Sequence, residues 1–276
     1  LEDCDAVVHT AAMVSVDARD AEKVSEGNVT GARTVIDGAL EAGVERIIHV
    51  SSVTALFDPK AEVLDENSPP GSAHNAYGRS KVACERYVRE LQEQGEPIYI
   101  TYPASVMGPD DPGLTEPHVG LQTYLAYFVP QMPSGNQYVD VRDVAEVHLR
   151  LLEMDVDPGR YLVGGHYIPW MELGELLEEL TGRRLLKVPL TGQFMRMAGR
   201  ALDFVSNRVA LDVPITEEAM EYATRWVPMD SGKVERDLDF EFRDVADTFF
   251  DAIYWLYEAG CITAEQAGDV LEPEQG

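Results

Sequence analysis

Short apolar runs alternate with long amphipathic stretches in the first half of the chain, and this alternation constrains the fold more than any other feature. The runs lie at 6–9, 46–51 and 98–102 and are rich in β-branched residues, which favour strands. Between them, apolar residues recur at helical spacing over about 18–42 and 75–94. Strands that alternate with helices pair in parallel, with right-handed crossovers. The sequence therefore predicts an α/β fold around an open parallel sheet.

The second half of the chain is mainly helical. A further short strand is predicted near 161–163, and beyond Pro169 apolar residues recur at helical spacing in three stretches, 171–180, 193–205 and 245–257. We therefore predict a sheet domain over 1–165, with loops within 108–137 that would form substrate walls beyond the strand ends. A smaller, mainly helical lobe over 166–276 would complete the substrate site.

The chain is strongly acidic, with 49 acidic and 22 basic residues and a net charge of −27. Such a surface repels nucleic-acid phosphates and anionic lipids. No apolar run approaches the roughly 20 residues that cross a bilayer, and the three cysteines have neither zinc nor disulfide spacing. These features favour a cytoplasmic protein that has no metal site and binds neither nucleic acid nor membranes.

Three residues suggest acid/base chemistry. Tyr77 and Lys81 are four residues apart at the start of a predicted helix, so their side chains project from one face. A phenol loses its proton at about pH 10, and it can exchange protons near neutrality only if a neighbouring cation stabilises the phenolate. Lys81 would supply that cation. Ser52 ends a strand and would place a hydroxyl at the carboxyl edge of the sheet, where it orients the oxygen that Tyr77 protonates.

The Tyr-x-x-x-Lys spacing has a simpler explanation when taken alone. It occurs often by chance, as a solvated helix face with an aromatic ring packed beneath it. Here the pair begins 25 residues after Ser52, which closes an apolar strand, and it precedes another apolar strand that ends at Pro103. This order favours the functional interpretation over the structural one.

Motifs along essentially the whole chain resemble the extended branch of the short-chain dehydrogenase/reductase family, a group that is NAD-dependent epimerase/dehydratase-like. The matching segments are 5–12, 28–32, 49–52, Tyr77 with Lys81, 102–109, 138–145, and 231–233 with Leu238 and Phe240. The resemblance implies a Rossmann-like parallel sheet and an NAD(P)-dependent oxidoreductase. Within the family, the chain is similar to the dihydroflavonol reductase and hydroxysteroid dehydrogenase-like groups.

The resemblance also implies a role for each candidate site residue. Tyr77 would be the general acid/base, Ser52 would position the reacting oxygen, and Lys81 would bond the nicotinamide ribose and lower the pKa of Tyr77. The residues expected to contact the cofactor are His9, Ala11, Ala12, Tyr77, Lys81, Pro103, Ala104, Ser105 and Val106. NAD and NADP are not distinguished, because the residue that meets the adenosine ribose would lie on an earlier strand.

Structural roles compete with functional ones at some of these positions. His9 is also compatible with a core histidine at a strand end. Asn28 is compatible with a buried amide that ties a helix to its neighbours. Asp143 is predicted to cap the helix that ends near Glu153 rather than to act as a catalyst.

Two departures from the family pattern bear on function. The Gly-rich turn that seats a pyrophosphate at a helix N-terminus is absent from these residues. By comparison with the family, three strands and their helices would precede Leu1. We therefore expect an N-terminally truncated fragment that is inactive by itself and exposes the edge of its first strand. Tyr102 stands where many relatives carry arginine, especially those acting on sugar nucleotides, which argues against such substrates.

The favoured function is hydride transfer between nicotinamide and a ketone or secondary alcohol, with Tyr77 as general acid/base. The alternatives are a sugar-nucleotide epimerase or dehydratase on the same scaffold, and a non-catalytic cofactor-binding protein. The expected partner is a small-molecule substrate of apolar character, and the resemblance is compatible with a homodimer formed through the helix of Tyr77. Apolar residues that would wall such a substrate, or simply pack in the core, are Tyr124, Tyr127, Phe128, Phe194, Met195 and Met197.

Overall fold

A computed structural model of the chain describes residues 1, 4–13, 21–73, 76–197, 199 and 217–272. Its strands are β1 (Ala6–His9), β2 (Arg46–Val50), β3 (Ile98–Pro103), β4 (Ser105–Met107), β5 (Val129–Gln131), β6 (Gly135–Asp140), β7 (Arg160–Val163), β8 (His166–Pro169) and β9 (Lys187–Pro189). Its helices are α1 (Ala21–Glu41), α2 (Ala76–Glu93), α3 (Glu116–Ala126), α4 (Val141–Glu153), α5 (Trp170–Thr181), α6 (192–197), α7 (Glu217–Thr224), α8 (Gly232–Asp237), α9 (Val245–Glu258) and α10 (Ala264–Ala267). Short 3-10 turns lie at Val53–Ala55 and Gly268–Leu271.

The main sheet is fully parallel, with strand order β1-β2-β3-β7. Every residue of β3 is buried, because this strand has a neighbour on each side and helices above and below. Within the described residues β1 pairs only with β2, and it is correspondingly less buried. The predicted α/β fold with a parallel sheet is confirmed.

Helices cover both faces of the main sheet. On one face α1 and α2 pack side by side, and the hydroxyl of Ser51 donates to Glu85 of α2 at 3.1 Å. On the other face, Thr101 Oγ1 lies 2.9 Å from His148 Nε2 of α4. Because successive strand residues point to opposite faces, each strand contributes side chains to both layers.

Two smaller sheets extend the structure beyond the main sheet. In one, β6 pairs in parallel with β4 and antiparallel with β8, and in the other β5 pairs in parallel with β9. The β6–β8 pair joins residues on either side of position 165, and apolar residues within 227–240 return to the core of the main sheet. Contacts therefore cross the boundary between 1–165 and 166–276, and that division stays a prediction.

The predicted helix cap at Asp143 is wrong. Asp140 is the N-cap of α4, and its side chain accepts a hydrogen bond from the backbone N–H of Arg142 at 2.8 Å. Asp143 lies inside the first turn, where it is buried and paired with Arg243. The error arose because β6 passes directly into the helix, three residues before the position inferred from the sequence.

The range 108–137 is more regular than predicted. It contains α3 and β5 in addition to the expected loop around 108–115. Pro117 lies in the first turn of α3, where the missing N–H of proline costs no intrahelical hydrogen bond. The helix predicted over 193–205 can be compared only through 197 and at 199, because its remaining residues lie outside the described ranges. Among the helices described, none combines the length and apolar character that a membrane span requires.

Candidate active site

The carboxyl ends of β1, β2 and β3 lie along one edge of the main sheet, and the predicted site residues gather there. His9 ends β1, Pro103 ends β3, and Ser52 follows β2 between them. Ser52 leaves the strand in an extended conformation and caps the 3-10 turn by accepting a hydrogen bond from the Thr54 N–H at 3.2 Å. Its hydroxyl is thereby held at the edge where ligands of open parallel sheets bind.

Tyr77 and Lys81 lie one turn apart near the start of α2. The Lys81 Nζ is 5.7 Å from the centre of the Tyr77 ring. Only 6% of Lys81 is exposed, yet within the described ranges no hydrogen bond or ion pair engages its Nζ. The ammonium group is therefore desolvated, close to the phenol and able to donate to a ligand.

Burial has the largest effect on the Tyr77 phenol and raises its pKa above the ordinary value. A hydrogen bond with Ser52 acts in the opposite direction, and the nearby carboxylate of Glu116 adds to the rise. Burial also lowers the pKa of Lys81, against the opposing effect of neighbouring negative charge. The lowering of the Tyr77 pKa by Lys81 stays a prediction, since the shift here is upward and is set by burial, Ser52 and Glu116. Burial therefore favours the protonated form of the phenol.

Asn28 has the structural role that the sequence left open. Its Oδ1 accepts a hydrogen bond from the Met13 N–H at 2.7 Å, and its Nδ2 donates to the Met13 carbonyl at 3.0 Å. The same Nδ2 donates to Ser80 Oγ at 2.9 Å, and Ser80 in turn donates to the Tyr77 carbonyl at 2.7 Å. Asn28 thus joins the segment beyond β1 to the start of the helix that carries Tyr77.

The residues predicted to contact a cofactor fall into two groups along the same sheet edge. Ala11 and Ala12 are exposed directly beyond β1. Pro103 and Ala104 are buried at the end of β3, where the chain crosses into β4. In β4, Val106 is partly buried and Ser105 Oγ lies 3.2 Å from Asn136 Oδ1. Ser52 separates the two groups, so a ligand lying along the edge would reach both.

A stacked pair of buried histidines lies next to Lys81. His9 and His49 occupy paired positions on β1 and β2, with ring centres 5.5 Å apart and their Nδ1 atoms 3.3 Å apart. Burial lowers the pKa of His9, and it lowers that of His49 to about 3, with Lys81 contributing to both shifts. The Nε2 atom of His49 is buried without a hydrogen-bond partner in the described structure. The pair is therefore neutral at physiological pH.

The low pKa of His49 predicts a loss of stability in acid. The imidazole titrates near pH 6.5 in the unfolded chain and at about 3 in the folded chain. The unfolded state therefore binds more protons between these values, so the stabilisation is complete above pH 6.5 and is lost as the pH falls toward 3. The limiting slope is about 1.4 kcal/mol per pH unit. Denaturant unfolding at a series of pH values should show a shallower decline for His49→Phe, and equal declines would contradict the assignment.

Tyr102 is fully buried beneath α2, away from the ligand edge. Its hydroxyl donates to Glu85 Oε1 at 2.6 Å, and Arg89 contacts both groups. Burial of Tyr102 against Glu85 gives its side chain no direct place at the ligand edge, and the argument that Tyr102 disfavours sugar nucleotides stays a prediction. The pKa of Tyr102 is raised well above its ordinary value by burial and by Glu85.

Sequence reasoning missed His49, Glu85, Arg89 and Glu116. Glu85 and Arg89 continue the four-residue spacing that starts at Lys81, which was visible in the sequence. Charges at that spacing normally lie on a solvated helix face, and only packing against the sheet shows that these are buried. No sequence pattern marked Glu116 as a site residue, apart from its position within the predicted substrate walls.

The apolar residues predicted to wall a substrate are divided between surface and core. Tyr127, Phe194 and Met197 are exposed. Tyr124 packs edge-on against Trp170, with ring centres 5.9 Å apart. Met195 packs against a cluster of buried apolar residues that includes Leu121, Leu173 and Phe249, and Phe128 is partly buried. Core packing therefore accounts for Tyr124 and Met195, whereas the three exposed side chains are available to a ligand.

Comparison with known proteins identifies the family. A family model described as the NAD dependent epimerase/dehydratase family matches residues 1–164, more than half of the chain. The chain belongs to this family. The predicted resemblance to extended short-chain dehydrogenases/reductases is thereby confirmed.

Curated relatives include several reductases of this family. Sterol demethylase protein B of Methylococcus capsulatus is 27% identical over 270 residues, covering 95% of this chain and 81% of the relative. A putative dihydroflavonol 4-reductase of Synechocystis is 30% identical, covering 66% of this chain and 55% of the relative. Cinnamoyl-CoA reductase 1 of Arabidopsis thaliana is 32% identical, covering 65% and 55%. The chain thus spans about half the length of the last two.

Solved structures support the fold over nearly the whole chain. The protein gox2253 superposes with a TM-score of 0.76 at 26% identity, covering 95% of this chain and 81% of that one. The dTDP-glucose 4,6-dehydratase DesIV of Streptomyces venezuelae, solved with NAD, gives 0.68 at 21% identity, covering 92% and 73%. The UDP-glucuronic acid 4-epimerase of Bacillus cereus, also solved with NAD, gives 0.70 at 16% identity, covering 94% and 74%. At such identities the last two show the fold alone.

Proposed function

We propose that the protein is an NAD(P)-dependent oxidoreductase that transfers hydride between nicotinamide and a ketone or secondary alcohol. The observation that carries the proposal is the convergence of Ser52, Tyr77 and Lys81 at the carboxyl edge of the parallel sheet. A phenol, a hydroxyl and a buried ammonium in contact suit proton transfer to an oxygen atom, and they leave the hydride to a cofactor.

The site fits the nicotinamide end of a dinucleotide. The ammonium group of Lys81 is buried, and no acceptor among the described residues engages it. It could therefore donate a hydrogen bond to a ribose hydroxyl. Exposed Ala11 and Ala12 leave room for close approach beyond β1, and the segment from Pro103 to Val106 forms the opposite side. A bound nicotinamide would supply or accept the hydride at this position. Solved neighbours of the same fold that contain NAD support the choice of cofactor class.

The residues of the chain would handle the proton. In the reducing direction Tyr77 donates its phenolic proton to the substrate oxygen as negative charge develops there, and Ser52 donates a hydrogen bond to the same oxygen. Lys81 then stabilises the phenolate that remains until a proton returns from solvent. Burial raises the pKa of Tyr77, so the phenol is protonated before the substrate binds.

The surroundings of Tyr77 favour an uncharged substrate. Glu116, at the start of α3, lies near the phenol, and although burial raises the pKa of its carboxyl, its ionised form would repel an anionic group bound beside it. Tyr127, Phe194 and Met197, which the sequence predicted as substrate walls, expose apolar surface. Relatives named dihydroflavonol and cinnamoyl-CoA reductases agree with reduction of a carbonyl group.

A second candidate is a sugar-nucleotide epimerase or dehydratase. It is favoured by the solved neighbours DesIV and UDP-glucuronic acid 4-epimerase, whose folds superpose on almost the whole chain. Such enzymes return the hydride to the same substrate, so the cofactor shows no net change.

The two candidates are separated by the fate of the cofactor. We expect the full-length protein to oxidise NADH or NADPH when it is given uncharged aromatic or cyclic ketones, and to leave UDP- and dTDP-sugars unchanged in the presence of NAD. Absorbance follows the cofactor and mass spectrometry or NMR follows the sugars. Conversion of a sugar nucleotide without net cofactor oxidation would favour the second candidate. Tight nicotinamide binding with no conversion of either substrate class would favour a non-catalytic protein.

A further inference from the structure

The underside of α2 carries a buried charge network that the proposed chemistry does not use directly. Glu85 is completely buried, and both of its carboxylate oxygens are engaged. Oε2 accepts a hydrogen bond from Ser51 Oγ at 3.1 Å, and Oε1 accepts one from the Tyr102 hydroxyl at 2.6 Å. Arg89 donates to Oε1 through its Nε and forms an ion pair with it. The carboxylate is thus satisfied by groups from β2, β3 and its own helix.

Arg89 extends this network to the loop that follows Ser52. One of its terminal nitrogens lies 3.3 Å from the Tyr102 hydroxyl, and the other donates to the Ser68 carbonyl at 2.9 Å. Arg89 is 8% exposed, so the ion pair is shielded from salt and water. A buried pair of this kind holds its neighbours in one arrangement, because any displacement leaves a charge without a partner.

We propose that Glu85 is a positioning residue, whose buried carboxylate fixes the Ser52 hydroxyl and the α2 residues Tyr77 and Lys81 in register with each other. This inference rests on the proposed function. Its geometric basis has two parts. Glu85 binds Ser51, which immediately precedes Ser52. Lys81 lies one helical turn before Glu85 on the same face of α2. One carboxylate therefore contacts the strand end that carries the hydroxyl and belongs to the helix that carries the acid/base.

Glu85 also supplies negative charge that opposes the effect of burial on Lys81. Burial lowers the pKa of Lys81, whereas Cys84 and, after it, Glu85 raise it. Neutralising Glu85 should therefore let Lys81 lose its proton at a lower pH. The other titratable or charged groups that face this region are His9 on β1, His49 on β2, Tyr102 on β3, Cys84 and Arg89 on α2, and Arg33 on α1. The two histidines are neutral above pH 6.5, so they do not mask the change.

The test compares Glu85→Gln with Glu90→Gln in the full-length protein. Glu90 is exposed on the same helix and belongs to no part of the site. We expect Glu85→Gln to lower kcat by about 10- to 100-fold with little change in the KM for the ketone, as misplacement of reacting groups does. The alkaline limb of the pH–kcat profile should move to lower pH, and Glu90→Gln should match the wild type in both respects.

A second variant keeps the proposal testable if Glu85→Gln does not fold. Tyr102→Phe removes one hydrogen bond to Glu85 but leaves its charge, so kcat should fall by a few fold while the alkaline limb stays in place. A folded Glu85→Gln protein with wild-type kcat and an unmoved alkaline limb would overturn the proposal. If only Tyr102→Phe folds, an unchanged kcat in that variant would also overturn it.

The proposal can be separated from the proposed function by a titration that needs no turnover. If the wild type reduces no ketone, the proposed function fails. NMR titration of the isotopically labelled Lys81 ammonium then tests the placement of Glu85 by itself. A lower pKa for Lys81 in Glu85→Gln than in Glu90→Gln supports the electrostatic link, and equal values overturn it.

Discussion

Replacement of Tyr77 by phenylalanine is expected to lower kcat for ketone reduction by about 100- to 10,000-fold, the usual contribution of a positioned general acid. The substitution removes only the hydroxyl that would donate the proton and bond to Ser52, and the ring that packs beside Lys81 is kept. Substrate and cofactor binding should change little. Steady-state kinetics and a nicotinamide-binding measurement on the full-length protein check both expectations.

Tyr87→Phe provides a matched control for this substitution. Tyr87 lies on the same helix, ten residues further along, and its hydroxyl bonds to Asp37 at the surface. It should retain wild-type kcat, which would show that loss of a tyrosine hydroxyl from α2 is not harmful in general. Undiminished turnover in a folded Tyr77→Phe protein would remove the basis of the proposed mechanism and favour a non-catalytic role.

A large effect on stability is expected from substitution of Gly165 by alanine, which should lower the free energy of unfolding by about 4 kcal/mol or more. Gly165 joins β7 to β8 with a φ of +60°, and a Cβ added there would lie 2.2 Å from the Tyr138 carbonyl oxygen and 2.8 Å from the Val139 Cα. Both atoms belong to the backbone of β6, which is fixed in the second sheet. The clash therefore cannot be relieved by turning a side chain.

Gly43→Ala isolates the contribution of this clash. Gly43 also has a positive φ, +72°, but an added Cβ would meet no atom within 4 Å. Its substitution should cost only the backbone strain of a left-handed residue, about 1 to 2 kcal/mol. Chemical denaturation of both variants gives the comparison. If Gly165→Ala proves no less stable than Gly43→Ala, the close approach of the β7–β8 turn to β6 is incorrect.

Several parts of the structure were predictable because they depend on local pattern. The apolar runs at 6–9, 46–51 and 98–102 became β1, β2 and β3 with small changes at their ends. The stretches predicted over 18–42 and 75–94 became α1 and α2, although residues 18–20 and 75 lie outside the described ranges. Hydrophobic periodicity reports which face of an element is buried, so it finds elements more reliably than it finds their ends.

The candidate site was predictable only in part. Ser52, Tyr77 and Lys81 could be named because a strand end and the start of a helix are both visible in the sequence. The antiparallel pairing of β6 with β8 was not predictable, since it joins residues about 30 positions apart that are separated by α4 and β7 instead of by a hairpin turn. The cap of α4 was assigned to Asp143 rather than Asp140 because both are cap-forming residues, and only backbone geometry separates them.

The sequence by itself determined the α/β class, the order of the elements in the first half and the three residues proposed for proton transfer. These depend on local periodicity and on spacing along single elements. The tertiary structure alone decided that Glu85 and Arg89 are buried rather than solvated, that Tyr102 faces α2 instead of the ligand edge, and that His9 stacks on His49. Each of these depends on which face of a helix meets which face of the sheet, and that is settled by contacts between residues far apart in the chain.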